Sequence, residues 1–191
     1  LIILFSVKNK IENEMRKQLP LIILLGFVFL SILADAIFLL SKPSDKEYME
    51  IASENMKNGD VSEAIVSYEN VVEKYPQSEL APEALVKEAT LYQSNMVTNI
   101  SKEESLRKAA EIFYSVAGKY PSSEEAPKSL FMSGFIYANE LQDYDKATKA
   151  YKLFMEKYPK HDLFASAKDE LENMGLSPDE ILKKKTTSRE K

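Results

Sequence analysis

Three segments of this chain repeat one four-point spacing. Ala64, Tyr68, Tyr75 and Pro76 form the first, Ala109, Phe113, Tyr120 and Pro121 the second, and Ala147, Tyr151, Tyr158 and Pro159 the third. In each, an aromatic residue follows the alanine by four positions and a Tyr-Pro pair closes the segment. Fixed self-similarity of this kind marks stacked units, each too small to bury its own apolar face alone. Positions i and i+4 share one face of a helix, so each Ala–aromatic pair is expected to face a neighbouring helix. Small alanines permit close backbone approach, and the aromatics are expected to be plain core. Tyr-Pro stops the helix, because proline pushes the residue before it out of the α region.

Start signals agree with that partition. Ser44-x-x-Glu47, Ser101-x-x-Glu104 and Ser122-x-x-Glu125 fit the capping box. Asp60 is placed to cap the helix after Gly59, and Pro82 and Pro127 fall where a first-turn proline costs little. All eight prolines sit at or near an expected boundary. The spacing predicts helices near 45–57, 61–74, 79–96, 102–119, 124–140, 144–157 and 162–174, the last ended by Gly175. Ser177-Pro178-Asp179-Glu180 starts a short helix running into Lys183-Lys184-Lys185, and Thr186 to Lys191 is expected to be disordered. No strand pattern of useful length appears, so the fold is predicted to be all-α, built from helical hairpins.

Ahead of the repeats, Leu21 to Leu40 reads LIILLGFVFLSILADAIFLL, with Asp35 its one charge. Roughly twenty helical residues match a ~30 Å hydrocarbon core. Lys8, Lys10, Arg16 and Lys17 precede it, against Lys42 and Lys46 after it, which predicts a cytoplasmic N-terminal side. Ala34-Asp35-Ala36 has the form of a signal-peptidase site, but Ile37-Phe38-Leu39-Leu40 continues the apolar run past it. An uncleaved anchor is therefore the preferred reading, with Asp35 reaching the interface near its outer end. Met15-Arg16-Lys17 is an alternative start to Leu1. The expected organisation is a cytoplasmic segment at 1–20, a transmembrane anchor at 21–40 and a repeat domain at 45–175. A short helix and basic tail follow at 176–191. Ser41 to Ser44 form the hinge.

Composition removes several functions. The 191 residues hold no Cys, one His and five Gly, with net charge −5. That leaves no thiolate metal site, Cys nucleophile, lipidated Cys or histidine cluster, and no Gly-rich loop to cradle phosphate. An acidic chain is a poor ligand for a phosphate backbone, so no nucleic acid partner is expected. No nucleophile–base–orienter set can be assembled, so catalysis is not expected, and neither a cofactor nor a metal is predicted. His161 is read as a polar stand-in for Ser in a solvent-facing turn, and Glu124-Glu125 as helix-start charge. Asn99-Ile100-Ser101 reads as loop rather than glycosylation sequon, and the three lysines at 183–185 as a solvated tail.

The Ala-x3-aromatic-x7-Pro frame resembles the second helix of the tetratricopeptide repeat. Ala52, Ala89 and Gly134 resemble the small residue of its first helix, with Tyr92 and Tyr137 three residues further on. The resemblance implies an α-solenoid of about three hairpins, at 45–78, 81–123 and 126–161, closed by an end helix at 162–175. Three departures stand out. The second repeat has an insertion from Met96 to Lys102, the third an extra turn residue near Asn139 to Asp143, and Asn55 replaces an expected aromatic. The resemblance further implies that first helices line a concave, partner-binding groove. That places Met49, Ser53, Met56 and Lys57 there from the first repeat, and Lys87, Thr90 and Gln93 from the second. Lys128, Met132, Phe135 and Asn139 follow from the third. Flexible Met adapts to apolar partners, while Lys and amides orient a peptide. With Met49 and Ser53 where a carboxylate clamp needs Lys and Asn, that clamp is not expected.

Tyr75 to Ala84 is similar to the YPxSxxAxxA junction of bacterial cell-envelope members of the family, including the outer-membrane assembly lipoprotein and the Tol-Pal-associated periplasmic protein. The other junctions are looser, with Ser129 for the last Ala and His161 and Phe164 for Ser and Ala. Without Cys the chain cannot be a lipoprotein, and its single anchor looks more like the translocon-associated periplasmic member. The expectation is a non-catalytic adaptor in the bacterial cytoplasmic membrane, its repeat domain outside the cytoplasm, binding an envelope protein or peptide. The alternative is a homo-oligomeric scaffold on the membrane.

Overall fold

The computed structural model describes residues 15–33 and 42–189, which are helix and turn without a strand. The chain divides after Pro43 into two units. In the first, α1 (Met15–Leu33) is a 19-residue helix with an apolar, wholly exposed surface. By length and composition it can cross a membrane, and a signal sequence passes the same test. Pro20 lies inside α1, because the helix begins at Met15 rather than at the apolar run. The last seven residues of that run, with Asp35 and the Ala34-Asp35-Ala36 cleavage candidate, lie outside the described residues, as do Leu1 to Glu14.

The second unit is a series of antiparallel hairpins. These are α2 (Asp45–Asn58) with α3 (Val61–Lys74), α4 (Ala81–Gln93) with α5 (Lys102–Lys119), and α6 (Glu125–Phe135) with α7 (Tyr144–Lys157). Then come α8 (Phe164–Asn173) and α9 (Pro178–Arg189). The repeated frame supplies the core. Ala64, Ala109 and Ala147 are fully buried, and their partners Tyr68, Phe113 and Tyr151 nearly so. Ala52 and Ala89 on the first helices are fully buried as well. Two apolar clusters result, with Val72, Tyr92 and Tyr120 packing against both, so the stack is continuous.

The three Tyr-Pro stops are close to superimposable. Tyr75, Tyr120 and Tyr158 have φ of −129°, −131° and −127° and ψ of 55°, 58° and 54°. This is the non-helical backbone that a following proline enforces. In each turn the tyrosine carbonyl then accepts from the amide three residues on, at Ser78, Ser123 and His161, over 2.9–3.1 Å. His161 acts as the expected stand-in for Ser, its Nδ1 accepting from the Leu163 amide as Ser78 Oγ accepts from Leu80. It is not solvent-facing, however. It is half-buried, with its ring edge-on to Phe154 at 5.7 Å.

Some start signals give way to these turns. Ser44 and Glu47 form the reciprocal capping box, and Ser101 accepts from the Glu104 amide. Ser122 does not cap α6. The chain is still turning through Ser123, whose carbonyl accepts from Ala126, and Glu124 takes the N-cap position. Asp60 stands at the N-cap of α3 without a side-chain bond, and Asp143 caps α7 instead, accepting from Lys146. Gly59, at φ 84°, takes the left-handed turn that ends α2. At the other end, Ser177 and Glu180 form a capping box and no Gly or Pro interrupts the helix beyond it, so α9 runs to Arg189 through the stretch expected to be disordered. Lys184 is not merely solvated, since it donates to the Glu172 carbonyl at the end of α8.

The departures from the repeat have physical solutions. The insertion after α4 is tied down by Val97, which is buried, and Ile100, both packed on the first cluster. The extra residue of the third repeat is absorbed in a π-helical turn at Ile136–Glu140, where Leu141 N–H donates to the Ile136 carbonyl five residues back. Just before it, a Cβ on Gly134 would lie 2.8 Å from the buried Tyr151 ring. Overpacking of that kind costs typically ~1–3 kcal/mol. Gly134→Val is expected to lower stability by about 2 kcal/mol, checked by urea unfolding.

Candidate partner-binding groove

A cavity of about 280 Å³ lies between the first helices of the second and third hairpins. Val86, Thr90 and Gln93 of α4 form one wall, and Lys128 and Met132 of α6 the other. Their positions follow from helix periodicity, since 86, 90 and 93, like 128 and 132, recur every three to four residues. The floor is the Phe113 ring, reached from α5. The apolar floor suits a side chain of a bound peptide, and the polar rim can fix its direction.

The rim chemistry is specific. The Thr90 hydroxyl donates to the Val86 carbonyl at 2.7 Å, which leaves its oxygen as an acceptor. Lys128 is exposed and makes no ion pair among the described residues, whereas Lys87 is held 3.3 Å from Glu83. Lys128 is therefore the cation of this rim, with the Glu125 carboxylate also in the lining.

The structure brings Thr90, Gln93, Lys128 and Met132 together, and it separates the other expected groove residues. Lys87 is exposed on α4 beyond the cavity lining. Met49 and Met56 pack partly against the first core cluster, with Ser53 and Lys57 exposed on the same helix. Phe135 is half-buried at the last turn of α6. Asn139 lies in the π turn, donates to the Phe135 carbonyl at 3.2 Å and lines a separate cavity of about 340 Å³ with Glu170, Asn173 and Met174. Val86, Phe113 and Glu125 also line the groove, and the sequence does not single them out as site residues. Phe113 carries a signal, as a frame aromatic, but that signal points to core and not to a pocket floor.

On the second-helix side, Tyr137 is buried beneath a cavity of about 350 Å³ lined by Glu111, Tyr114, Lys146 and Lys149. Burial, with Glu111 and Asp143 nearby, pushes its hydroxyl up to about 12. Lys146 stands 5.0 Å over the ring and 3.6 Å from Glu111, so the one carboxylate in this lining is already paired.

Among the described residues no cluster of His, Cys, Asp or Glu is arranged to hold a metal. A comparison with curated proteins finds no match. A family model does match, the tetratricopeptide repeat, at residues 49–78 and 128–161. The first stretch runs from α2 through the first Tyr-Pro turn, and the second from α6 through the third. The unmatched hairpin between them contains the insertion after α4. The Tyr-Pro stops and stacked hairpins agree with those two matches, and the repeat they resemble is one associated with protein–protein interaction.

Proposed function

We propose that this chain is a non-catalytic adaptor anchored in a bacterial cytoplasmic membrane, binding an envelope protein through the α4–α6 groove. Repeats of this kind are typically scaffolds rather than enzymes. The observation that carries the reading is the groove itself, an apolar floor at Phe113 flanked by Lys128 and the Thr90 and Gln93 polar groups. Such a surface fits an extended peptide with one apolar anchor and an acidic or carbonyl-rich neighbour. For the anchor, the support is the exposed, apolar α1 with Arg16 and Lys17 at its start.

Charge reversal at the two lysines tests the groove. In affinity purification of the full chain from cells, Lys128→Glu is expected to lower partner recovery at least fivefold. Lys87→Glu is expected to change it less than twofold, because Lys87 already has Glu83. Equal recovery by Lys128→Glu and the parent chain contradicts the groove. External protease on spheroplasts tests the anchoring. Digestion of the repeat domain is expected, and its protection places that domain on the cytoplasmic side instead.

The homo-oligomeric scaffold needs a broad apolar outer surface on the second helices. Val66, Tyr114 and Tyr144, each on a different second helix, are their exposed large apolar residues. Single residues of this kind are ordinary surface. The adaptor is the better-supported reading.

A further inference from the structure

Glu88 is a charge in the wrong place for a purely structural residue. It sits on α4, turned away from the groove, and only 7% of it is exposed. Among the described residues no hydrogen bond or ion pair reaches its carboxyl group, although it lines a cavity of about 360 Å³ open to solvent between α3 and α5. Glu69 of α3 faces it across that cavity, likewise without an ion pair among the described residues. Tyr92 and Ile112 supply an aromatic face and an aliphatic wall. A buried acid without a partner costs stability, and glutamine there would avoid most of that cost.

The cations already present do not answer it. Lys108 lies 5.5 Å over the Tyr92 ring but is tied at 4.0 Å to the exposed Glu104. Glu111, on the cavity edge, is committed to Lys146. Lys119 of α5 acts on Glu88 only through its field, which is weaker than the burial and the Glu69 repulsion that push the acid up to about 7. The acids are not arranged as metal ligands. What the cavity lacks is one planar, weakly hydrated cation able to stack on a ring and bond two carboxylates, which describes a guanidinium.

We propose that the cavity between α3 and α5 is a receptor for an arginine side chain of a protein partner, paired by Glu88 and Glu69 and stacked on Tyr92. The incoming guanidinium displaces Lys108 from the ring and turns Glu88 into its carboxylate form. This gives the domain a second docking point on the face opposite the α4–α6 groove, independent of whether that groove binds a peptide.

The test uses the full chain in detergent micelles and a fluorescein-labelled Gly-Gly-Arg-Gly-Gly peptide, read by anisotropy. Saturable binding is expected, weakened at least tenfold when norleucine replaces arginine and at least fivefold by Glu88→Gln. Glu156→Gln, at an exposed glutamate on α7, is expected to change affinity less than twofold. Circular dichroism confirms that the Glu88→Gln chain is folded. Absence of saturable binding, or equal loss from Glu88→Gln and Glu156→Gln, overturns the proposal, the latter meaning attraction to an acidic surface only.

Discussion

Replacing Phe154 by alanine is expected to lower the stability of the repeat domain by about 3–5 kcal/mol. The ring is fully buried in α7, with Phe131 at 6.1 Å, Tyr158 at 5.9 Å and His161 at 5.7 Å around it. Edge-on and tilted aromatic contacts of this sort add to the area they bury. Truncation leaves a cavity that three rings of different helices and turns cannot jointly close. Because the third hairpin shares one apolar cluster with the second, loosening it also weakens the packing of Phe113 and Val116 on α5. In urea unfolding followed by circular dichroism the transition midpoint falls sharply. Phe154→Leu, which keeps most of the volume, is expected to cost about 1.5 kcal/mol or less. A loss below about 1 kcal/mol for Phe154→Ala contradicts the packing described for this hairpin.

The second large effect is a dependence on pH. Glu88 has its folded-state ionisation pushed up to about 7, chiefly by burial and then by Glu69. The unfolded chain loses that proton near 4.5. Between these values the folded state holds a proton that the unfolded state has released, so stability falls as pH rises through the interval. Below about 4.5 both states are protonated, and above about 7 both are ionised, which bounds the window. A shift of this size corresponds to about 3 kcal/mol lost between roughly pH 4.5 and pH 8. Glu88→Gln is expected to remove that slope, leaving the variant close to the parent near pH 5 and more stable by up to about 3 kcal/mol at pH 8. Urea unfolding of both chains at pH 5 and pH 8 checks this. Parallel behaviour of the two contradicts the burial of an ionisable group there.

The parts of this fold that are legible in the sequence are those decided by local sterics or by helix periodicity. A proline acts on the residue before it whatever surrounds them, so Tyr75, Tyr120 and Tyr158 adopt one backbone geometry. Alanines and aromatics four apart must share a face, so their burial follows once helices stack. Where two local signals compete the outcome depends on their order along the chain. Ser122 has the residues of a capping box, but it follows Tyr120-Pro121 too closely for the helix to start there.

The site is legible in part for similar reasons. Thr90, Gln93, Lys128 and Met132 meet because α4 and α6 keep regular α-helical phase. Continuing that phase would put Asn139 beside them. Asn139 lies within the π turn that begins at Ile136, where the wider ladder breaks that phase, and its side chain turns towards Glu170 instead. Glu88 stands at helical spacing among Ala81, Ala84, Leu85 and Tyr92, so periodicity puts it on the buried face of α4. Its meeting with Glu69 across a cavity depends on how α3 and α5 pack, and no local pattern carries that.

The central claim is that the α4–α6 groove holds a separate protein, and photo-crosslinking in living cells tests it most directly. A photoreactive residue at Met132 is to be compared with one at Val66, which is exposed on α3. If the groove is the docking site, position 132 yields adducts with a distinct envelope protein and position 66 yields none with that protein. Adducts from position 132 only to further copies of this chain contradict the adaptor and establish the scaffold in its place.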